Sequence, residues 1–427
     1  MRFQSPRGMP DVLPEDQAYW RAIIKNSEKL ARTYGYERLD PPIVEDTGLF
    51  LRSIGEGTDI HDKEMYLVGL AQHADKFGEL ALRPEFTAGV MRAYIEHGFQ
   101  NKPAPVRLYS LGPAFRHEAP QLGRTRQFSQ LNVEAVGSMD PALDLEVMLV
   151  AWQFYLVHGI PNLSFQLNST GCPKCRPQYV QALRDYYQGH IDQVSAEDRH
   201  RLEVNPLRVL DSKAENAQAL IEAAPRILDY LCEECAAHFA TLRSYLDALG
   251  KPYTVNHRLV RGLDYYTKTV FEVWGEAGLG AQNTLCGGGR YDGLIELLGG
   301  PPTPAVGFAA GIERLVLSMK ALGVSVEPLP GPQVCVAYLG ADAKVEAIKL
   351  LAELRAAGIR SVATFGDRGL KAQFRYADRM GVAYTLILGS DEVANAQVTL
   401  RDMAGSAQSQ VARADIVALL QQRLSAA

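Results

Sequence analysis

Three groups of side chains in this sequence have the types and spacing to do chemistry. The first lies in the stretch 106–137, VRLYSLGPAFRHEAPQLGRTRQFSQLNVEAVG, which holds Arg116, Arg124 and Arg126 together with Gln130 and Glu134. Planar guanidinium forks match phosphate oxygens, so several of them on one loop form an anion clamp. An amide and a carboxylate beside such a clamp suggest an amino acid meeting a nucleotide. The second group is Cys172-Pro-Lys-Cys175 and Cys232-Glu-Glu-Cys235, four of the six cysteines. Four thiolates suit tetrahedral Zn²⁺, but the 56 residues between the pairs (176–231) exceed the usual ribbon spacing, so folding must bring them together. Disulfides and unliganded thiols are the alternatives. The third is Lys371, Arg375 and Arg379, which recur every fourth residue and share one helix face, with Arg368 just before. Such a stripe is either a solvated face or a polyanion-binding one.

The first group needs a hairpin to position it. Runs of strand character at Val106–Phe115 and Arg126–Val136 flank a loop with Pro120, Gly123 and Arg124. Side chains alternate along a strand, so Leu131, Val133 and Ala135 face one way and Gln130, Asn132 and Glu134 the other. Burying amide and carboxylate groups without partners is costly, so the second face reads as the wall of a polar pocket. A sheet with one solvated face gives the same alternation; the arginines at the bend favour the pocket. Upstream, Leu82–Ala88 (LRPEFTA) leads into a helix striped by Met91, Tyr94 and Ile95, with Thr87 as its N-cap and Gly98 as its stop. A capping role would also explain Glu85, through the helix dipole.

With 427 residues, 47% hydrophobic and 22% charged, the chain is long enough for two or three domains with cores of their own. The net charge of −5 argues against an all-over basic surface, so any nucleic-acid contact must come from local patches. No run is apolar enough for a membrane span and the N-terminus lacks a signal-peptide centre, so a cytoplasmic location is expected. A helix is expected over Glu15–Tyr34 and a short strand, interrupted by Pro41 and Pro42, over 36–50. From about Gly171 to Gly250 the composition turns polar and helical, with helices over Arg176–Gly189, Lys213–Glu222 and Leu228–Leu249, and reads as an insertion between two parts of one sheet. NTLCGGGRYDGLIELLGG reads as a glycine-rich turn entering a helix, and PAVGFAAGIERLVLSMKAL as a strand passing into a helix. Neither is a dinucleotide fingerprint, and there is no Walker motif. A proline-rich linker, 326–332, precedes a compact α/β domain at 333–427.

FRHE with the later RQFSQLNVEAVG resembles motif 2 of class II aminoacyl-tRNA synthetases, and GFAAGIERL resembles motif 3. LVRGLDYYTKTVFEV and LCGGGRYDGL resemble the two signatures that set the histidyl-tRNA synthetase family apart. The resemblance runs over nearly the whole chain. It implies an α+β catalytic domain on an antiparallel sheet (1–325) with a mostly helical insertion (171–250), followed by an α/β anticodon-binding-like domain. It implies that histidine and ATP, with Mg²⁺, form histidyl-adenylate and pyrophosphate, and that the histidyl group passes to the 3′ end of tRNA(His). Matched positions place Glu85, Thr87 and Gln130 at the α-amino group of histidine, Glu134 and Tyr266 at its imidazole, and Tyr265 along the pocket. Arg116, Glu118, Arg124 and Arg314 would hold ATP. Arg261 would bridge the histidine carboxylate and the α-phosphate, making it, with Arg116, the catalytic cation. Lys371, Arg375 and Arg379 become tRNA contacts, and a homodimer is implied through Tyr19–Phe50. Phe86 stands where the family's LRPEGTA block has glycine, and Ser129 where RQFHQ is common. The alternative is a catalytically inactive synthetase-like regulatory subunit of histidine biosynthesis, which typically lacks the arginine signature and the C-terminal domain; both are present here.

Overall fold

Two structural units divide the chain, Met1–Glu327 and Pro328–Ala427. The computed structural model describes residues 3–55, 58, 60–69, 78–212, 214, 217–260, 263–276, 283–366 and 368–425. In chain order the strands of the first unit are β1 (Glu37–Arg38), β2 (Val44–Asp46), β3 (Tyr66–Val68), β4 (Leu80–Leu82), β5 (Val106–Phe115), β6 (Gln127–Val136), β7 (Ser164–Ser169), β8 (Tyr253–Val255), β9 (Thr267–Trp274), β10 (Thr284–Arg290) and β11 (Ala305–Gly311). Among the described residues they make one large sheet, ordered β1-β5-β6-β11-β10-β9-β7-β8, and a small one, β2-β4-β3. The centre of the large sheet is antiparallel throughout, while its edge pairs β1·β5 and β7·β8 are parallel.

The alternation in β6 separates as its residue types require. Leu131, Val133 and Ala135 join the main core. That core is shared with the helix Pro141–Val157, whose LEVMLVAWQFYLV is apolar on nearly every side and therefore has to be buried. Asn132 and Glu134 are buried on the opposite face, and Gln130 is 9% exposed there. The apolar face thus drives the packing, and the polar face is largely covered by what lies over it.

Four sequence expectations need correction. Residues 47–50 are not strand: Thr47–Ile54 is a helix, started by the Asp46 carboxylate accepting from Gly48 N at 2.7 Å. Thr87 is not the cap of its helix, Thr87–Glu96; Glu85 does that work, accepting from Thr87 N at 2.5 Å and Ala88 N at 2.8 Å. The glycine-rich stretch 287–289 is not a turn but the middle of β10. Within the insertion, Arg176–Gly189 is helical as read, but the later helices are Ala196–Val204, Gln218–Ala223 and Glu233–Ala248. Ile227–Tyr230 forms only a 3-10 turn, because Leu231 and Cys232 adopt extended backbone before the last helix.

The second unit has strands β12 (Val334–Tyr338), β13 (Ser361–Ala363), β14 (Tyr384–Leu388), β15 (Gln397–Asp402) and β16 (Gln408–Ala412), ordered β13-β12-β14-β15-β16. Its helices are Ala341–Ala356, Leu370–Met380, Ser390–Ala394 and Ile416–Ser425; β16 and Ser390–Ala394 carried no clear sequence signal. Gln373 on the helix Leu370–Met380 is fully buried: its amide accepts from Tyr338 N at 3.1 Å and donates to Tyr338 O at 2.6 Å and Arg368 O at 2.8 Å.

Candidate active site

The polar face of β6 forms one wall of two adjoining cavities. The smaller, of about 150 Å³, is lined by Glu85, Thr87, Arg116, Gln130, Tyr265, Tyr266 and Tyr291, with backbone from Gly287, Gly307 and Ala309. The wider, of about 290 Å³, is lined by Arg116, Glu118, Arg124, Phe128, Gln130, Glu272, Glu313 and Arg314 among others. Arg116, Gln130, Gly287 and Ala309 belong to both, so the two cavities meet beside a guanidinium and an amide.

Glycines make this geometry possible. Gly307 pairs with Glu134 across β11 and β6, and a Cβ at Gly307 would overlap the Glu134 carboxylate. A Cβ at Gly288 would overlap Gly307 O, and one at Gly289 would lie 2.5 Å from Thr269 O and 2.9 Å from the Tyr266 ring. A strand made of such residues loses side-chain packing but lets rings and a carboxylate lie directly on backbone.

Glu134 sits behind the smaller cavity and is not part of its lining. Its carboxyl accepts from Thr87 Oγ1 at 2.6 Å and Asn132 Nδ2 at 2.8 Å, and from the Tyr291 hydroxyl. Burial pushes it up to about 8, against the lowering effect of its donors. Glu85 is also raised by burial, in part offset by the backbone N–H groups of Ala88 and Thr87. Tyr265, Tyr266 and Tyr291 pack as a cluster of rings, with centroids 4.8, 5.4 and 6.5 Å apart. Tyr291 was missed from sequence. It follows the end of β10 at Arg290, beyond a shift of register between Gly289 and Arg290, so no strand alternation points to it. Gln130 lines the cavity, and its Oε1 is buried without a hydrogen-bond partner.

In the wider cavity Arg116 is fixed by its Nε, which donates to Pro84 O at 2.8 Å, and by Phe128, whose ring centroid is 5.3 Å from the guanidinium carbon. Arg124 is half exposed, 3.9 Å from Glu118. Arg314 enters from the helix Ile312–Ala321, on the far side of Gly123. Arg126 stands apart from the expected clamp. Its Nε donates to Glu118 O at 3.1 Å and its backbone N to Gly8 O at 2.7 Å, so it shapes the loop. Glu313 accepts from Ser129 N at 2.8 and 2.9 Å, and burial raises it to about 7. Phe86 has ordinary helical backbone, φ −104°, and its ring is buried with Val90 and Met91 under Arg83, so this position makes no demand that only glycine meets. Arg261 lies outside the described residues.

The four cysteines are brought together. Cys172–Cys175, Cys172–Cys232 and Cys175–Cys235 sulfurs are 3.7, 3.8 and 3.9 Å apart, and all four lie within 4.8 Å of one another. A tetrahedron with Zn–S bonds of about 2.3 Å has edges of about 3.8 Å, whereas a disulfide needs about 2.0 Å. The donor set and its spacing fit a metal. In the second unit Lys371, Arg375 and Arg379 are all exposed on the face of their helix away from buried Gln373 and Ala377.

Family models match the chain at residues 8–315 (Histidyl-tRNA synthetase) and 333–423 (Anticodon binding domain). A histidine–tRNA ligase of Dehalococcoides mccartyi is 48% identical over 410 residues, covering 96% of this chain and 97% of its own. One from Pelotomaculum thermopropionicum is 44% identical, with 98% of each covered. Among solved structures, apo histidyl-tRNA synthetase of S. aureus is similar with a TM-score of 0.79 at 35% identity, covering 98% of this chain and 99% of that one. A Bacillus halodurans C structure described as an ATP phosphoribosyltransferase regulatory subunit/histidyl-tRNA synthetase shares the fold at 23% identity, with a TM-score of 0.63 over 91% of this chain and 99% of that one.

Proposed function

Because the chain belongs to the histidyl-tRNA synthetase family, we propose that the smaller cavity holds histidine, the wider one holds ATP, and Arg116 stands where the two substrates react. The reaction is that of a histidine–tRNA ligase. An oxygen of the histidine carboxylate attacks the α-phosphorus of ATP, the bond to the β-phosphate oxygen breaks, and pyrophosphate leaves. A hydroxyl of the terminal adenosine of tRNA(His) then attacks the acyl carbon, and AMP leaves. Such displacements need positioning and charge stabilisation more than covalent catalysis.

In this reading Gln130 Oε1, Glu85 and Thr87 receive the α-ammonium, while Tyr265 and Tyr266 surround the imidazole and Glu134 governs it through Tyr291 and Thr87. Arg116 neutralises the α-phosphate, Arg124 and Arg314 grip the outer phosphates and the nucleotide, and Glu118 completes the ATP side. Mg²⁺ enters with ATP as part of the substrate. Arg261 keeps the role that family resemblance gives it, a cation between carboxylate and α-phosphate. The observation that carries the proposal is the pair of cavities meeting at Arg116 and Gln130, one roofed by aromatic rings and one flanked by arginines. Histidine-dependent exchange of pyrophosphate into ATP tests it. Tight histidine binding without exchange would overturn it in favour of a regulatory subunit.

The finer assignments belong to the same proposal. Lys371, Arg375 and Arg379 contact tRNA. Homodimerisation uses the region Tyr19–Phe50, where Ile24, Ile43 and Val44 are 36%, 44% and 39% exposed, an apolar set in want of cover; sedimentation at micromolar protein reads the mass. Cys172, Cys175, Cys232 and Cys235 hold a structural Zn²⁺. The site of action is the cytoplasm, where tRNA is charged.

A further inference from the structure

Resting on the zinc reading, we infer that the four-cysteine centre is a positioning device for the histidine pocket: with metal bound it fixes the wall that carries Tyr265 and Tyr266, and it leaves the ATP side alone. The cysteines come from two places far apart in the chain. Cys172 and Cys175 close the turn that opens the insertion, where Cys175 N donates to Cys172 O at 3.1 Å and Arg176 N to the same oxygen at 2.9 Å. Cys232 and Cys235 stand at the start of the helix Glu233–Ala248. A shared ion makes one rigid body of these two pieces.

Both pieces grip the same short segment. Lys268, at the start of β9, has a left-handed backbone (φ 50°) that a lysine rarely adopts. Its N donates to Gly171 O at 2.8 Å and its O accepts from Thr170 N at 2.8 Å, both from the first piece. Its ammonium lies 2.9 Å from Glu234, between the two cysteines of the second piece. Two residues earlier the carbonyl of Tyr266 accepts from the Arg176 guanidinium and, at 3.3 Å, from Thr170 Oγ1. Arg176 Nε in turn donates to Thr170 O at 2.9 Å. The metal therefore lies one hydrogen-bond layer from the backbone that aims the Tyr266 ring, a lining residue of the smaller cavity. Among the described residues the insertion lines neither cavity, and Tyr265 and Tyr266 line only the smaller one.

Four measurements test this on the full-length protein. Protein purified without chelator carries close to one zinc per chain by metal analysis; absence of zinc overturns both the metal reading and the inference. Removing the metal with a chelator raises the KM for histidine in pyrophosphate exchange, and its Kd by calorimetry, about tenfold or more, the usual size of an outer-layer effect. The KM for ATP stays unchanged, and added Zn²⁺ restores histidine binding. Zinc that binds and leaves with no change in histidine affinity overturns the inference and spares the metal reading. Arg176→Ala, which keeps all four thiolates, retains zinc and shows the same selective rise. An Arg176→Ala variant with wild-type histidine KM and full zinc overturns the inference, and this variant decides the matter if the stripped protein unfolds.

Discussion

Glu134→Gln separates the carboxyl's charge from its shape. In the folded chain Glu134 is raised from 4.5 to about 8 by burial, and in the unfolded chain it titrates near its ordinary value. Between these two pH values the native state holds a proton that the unfolded state has lost, so stability falls as pH rises through the window and levels off above about 8. At about 1.4 kcal/mol per pH step the whole window is worth about 5 kcal/mol at most, and about 3 kcal/mol at neutral pH. Glutamine keeps the contacts. Its carbonyl oxygen takes the bonds from Thr87 and Asn132, which share one oxygen of Glu134, and its amide N–H can donate to the Tyr291 hydroxyl on the other side. Chemical denaturation of both proteins at pH 5.5, 7 and 8.5 is the assay. Near pH 5 the two are nearly equal, and the variant gains steadily with pH. Glu313, raised to about 7, slopes the same way in both proteins and cancels in the difference, whereas Glu85, whose charge helps to raise Glu134, loses that coupling in the variant. Parallel profiles would refute the reasoning, because a neutral side chain in place of a normally ionised carboxylate gives no slope in this window.

Gly307→Ala puts a methyl group into the Glu134 carboxylate; a loss of about 1–3 kcal/mol of stability and a steep rise in histidine KM are expected by denaturation and exchange assays. Arg290→Met leaves Asp144, which burial would raise but Arg290 and His238 hold below its ordinary value, buried without its principal cation. Nε of Arg290 lies 3.1 Å from Asp144 Oδ2, and the loss is about 3–5 kcal/mol in a denaturation experiment. Replacing Lys371, Arg375 and Arg379 together by alanine weakens tRNA binding and makes its logarithmic salt slope shallower by about 0.7–0.9 for each phosphate that is no longer neutralised, read from affinities at several salt concentrations. Arg261→Ala slows adenylate formation about a hundredfold to a thousandfold in single-turnover measurements while ATP affinity holds.

Much of the site was legible where side-chain type and backbone period agree. Gln130 and Glu134 share a buried face because strands alternate, and Lys371, Arg375 and Arg379 share a helix face because helices repeat. Legibility failed where backbone replaces side chains. Gly287, Gly288 and Gly289 look like a turn because glycine tolerates turns, yet they pair in the strand β10, and at Gly288 and Gly289 a neighbouring ring and carbonyls leave no room for a Cβ. Thr87 looks like a cap because threonine often is one, yet Glu85 is nearer the free N–H groups and Thr87 turns inward to Glu134. The meeting of Cys172 and Cys175 with Cys232 and Cys235 depends on how a whole helical insertion closes on itself, which no local pattern states.

Gln373 bears on how the second unit would meet a nucleic acid. A single amide clasps both backbone groups of Tyr338 and so ties the helix Leu370–Met380 to the strand beneath it at that point. Its exposed cations are then marks on a ruler: at about 1.5 Å per residue, Lys371 and Arg379 are fixed about 12 Å apart along the axis. A docking polyanion has only side-chain rotamers left to order, and a strand whose phosphates do not match that spacing cannot bend the ruler to fit. A nucleic acid that docks here would be selected in part by how its phosphates match that spacing.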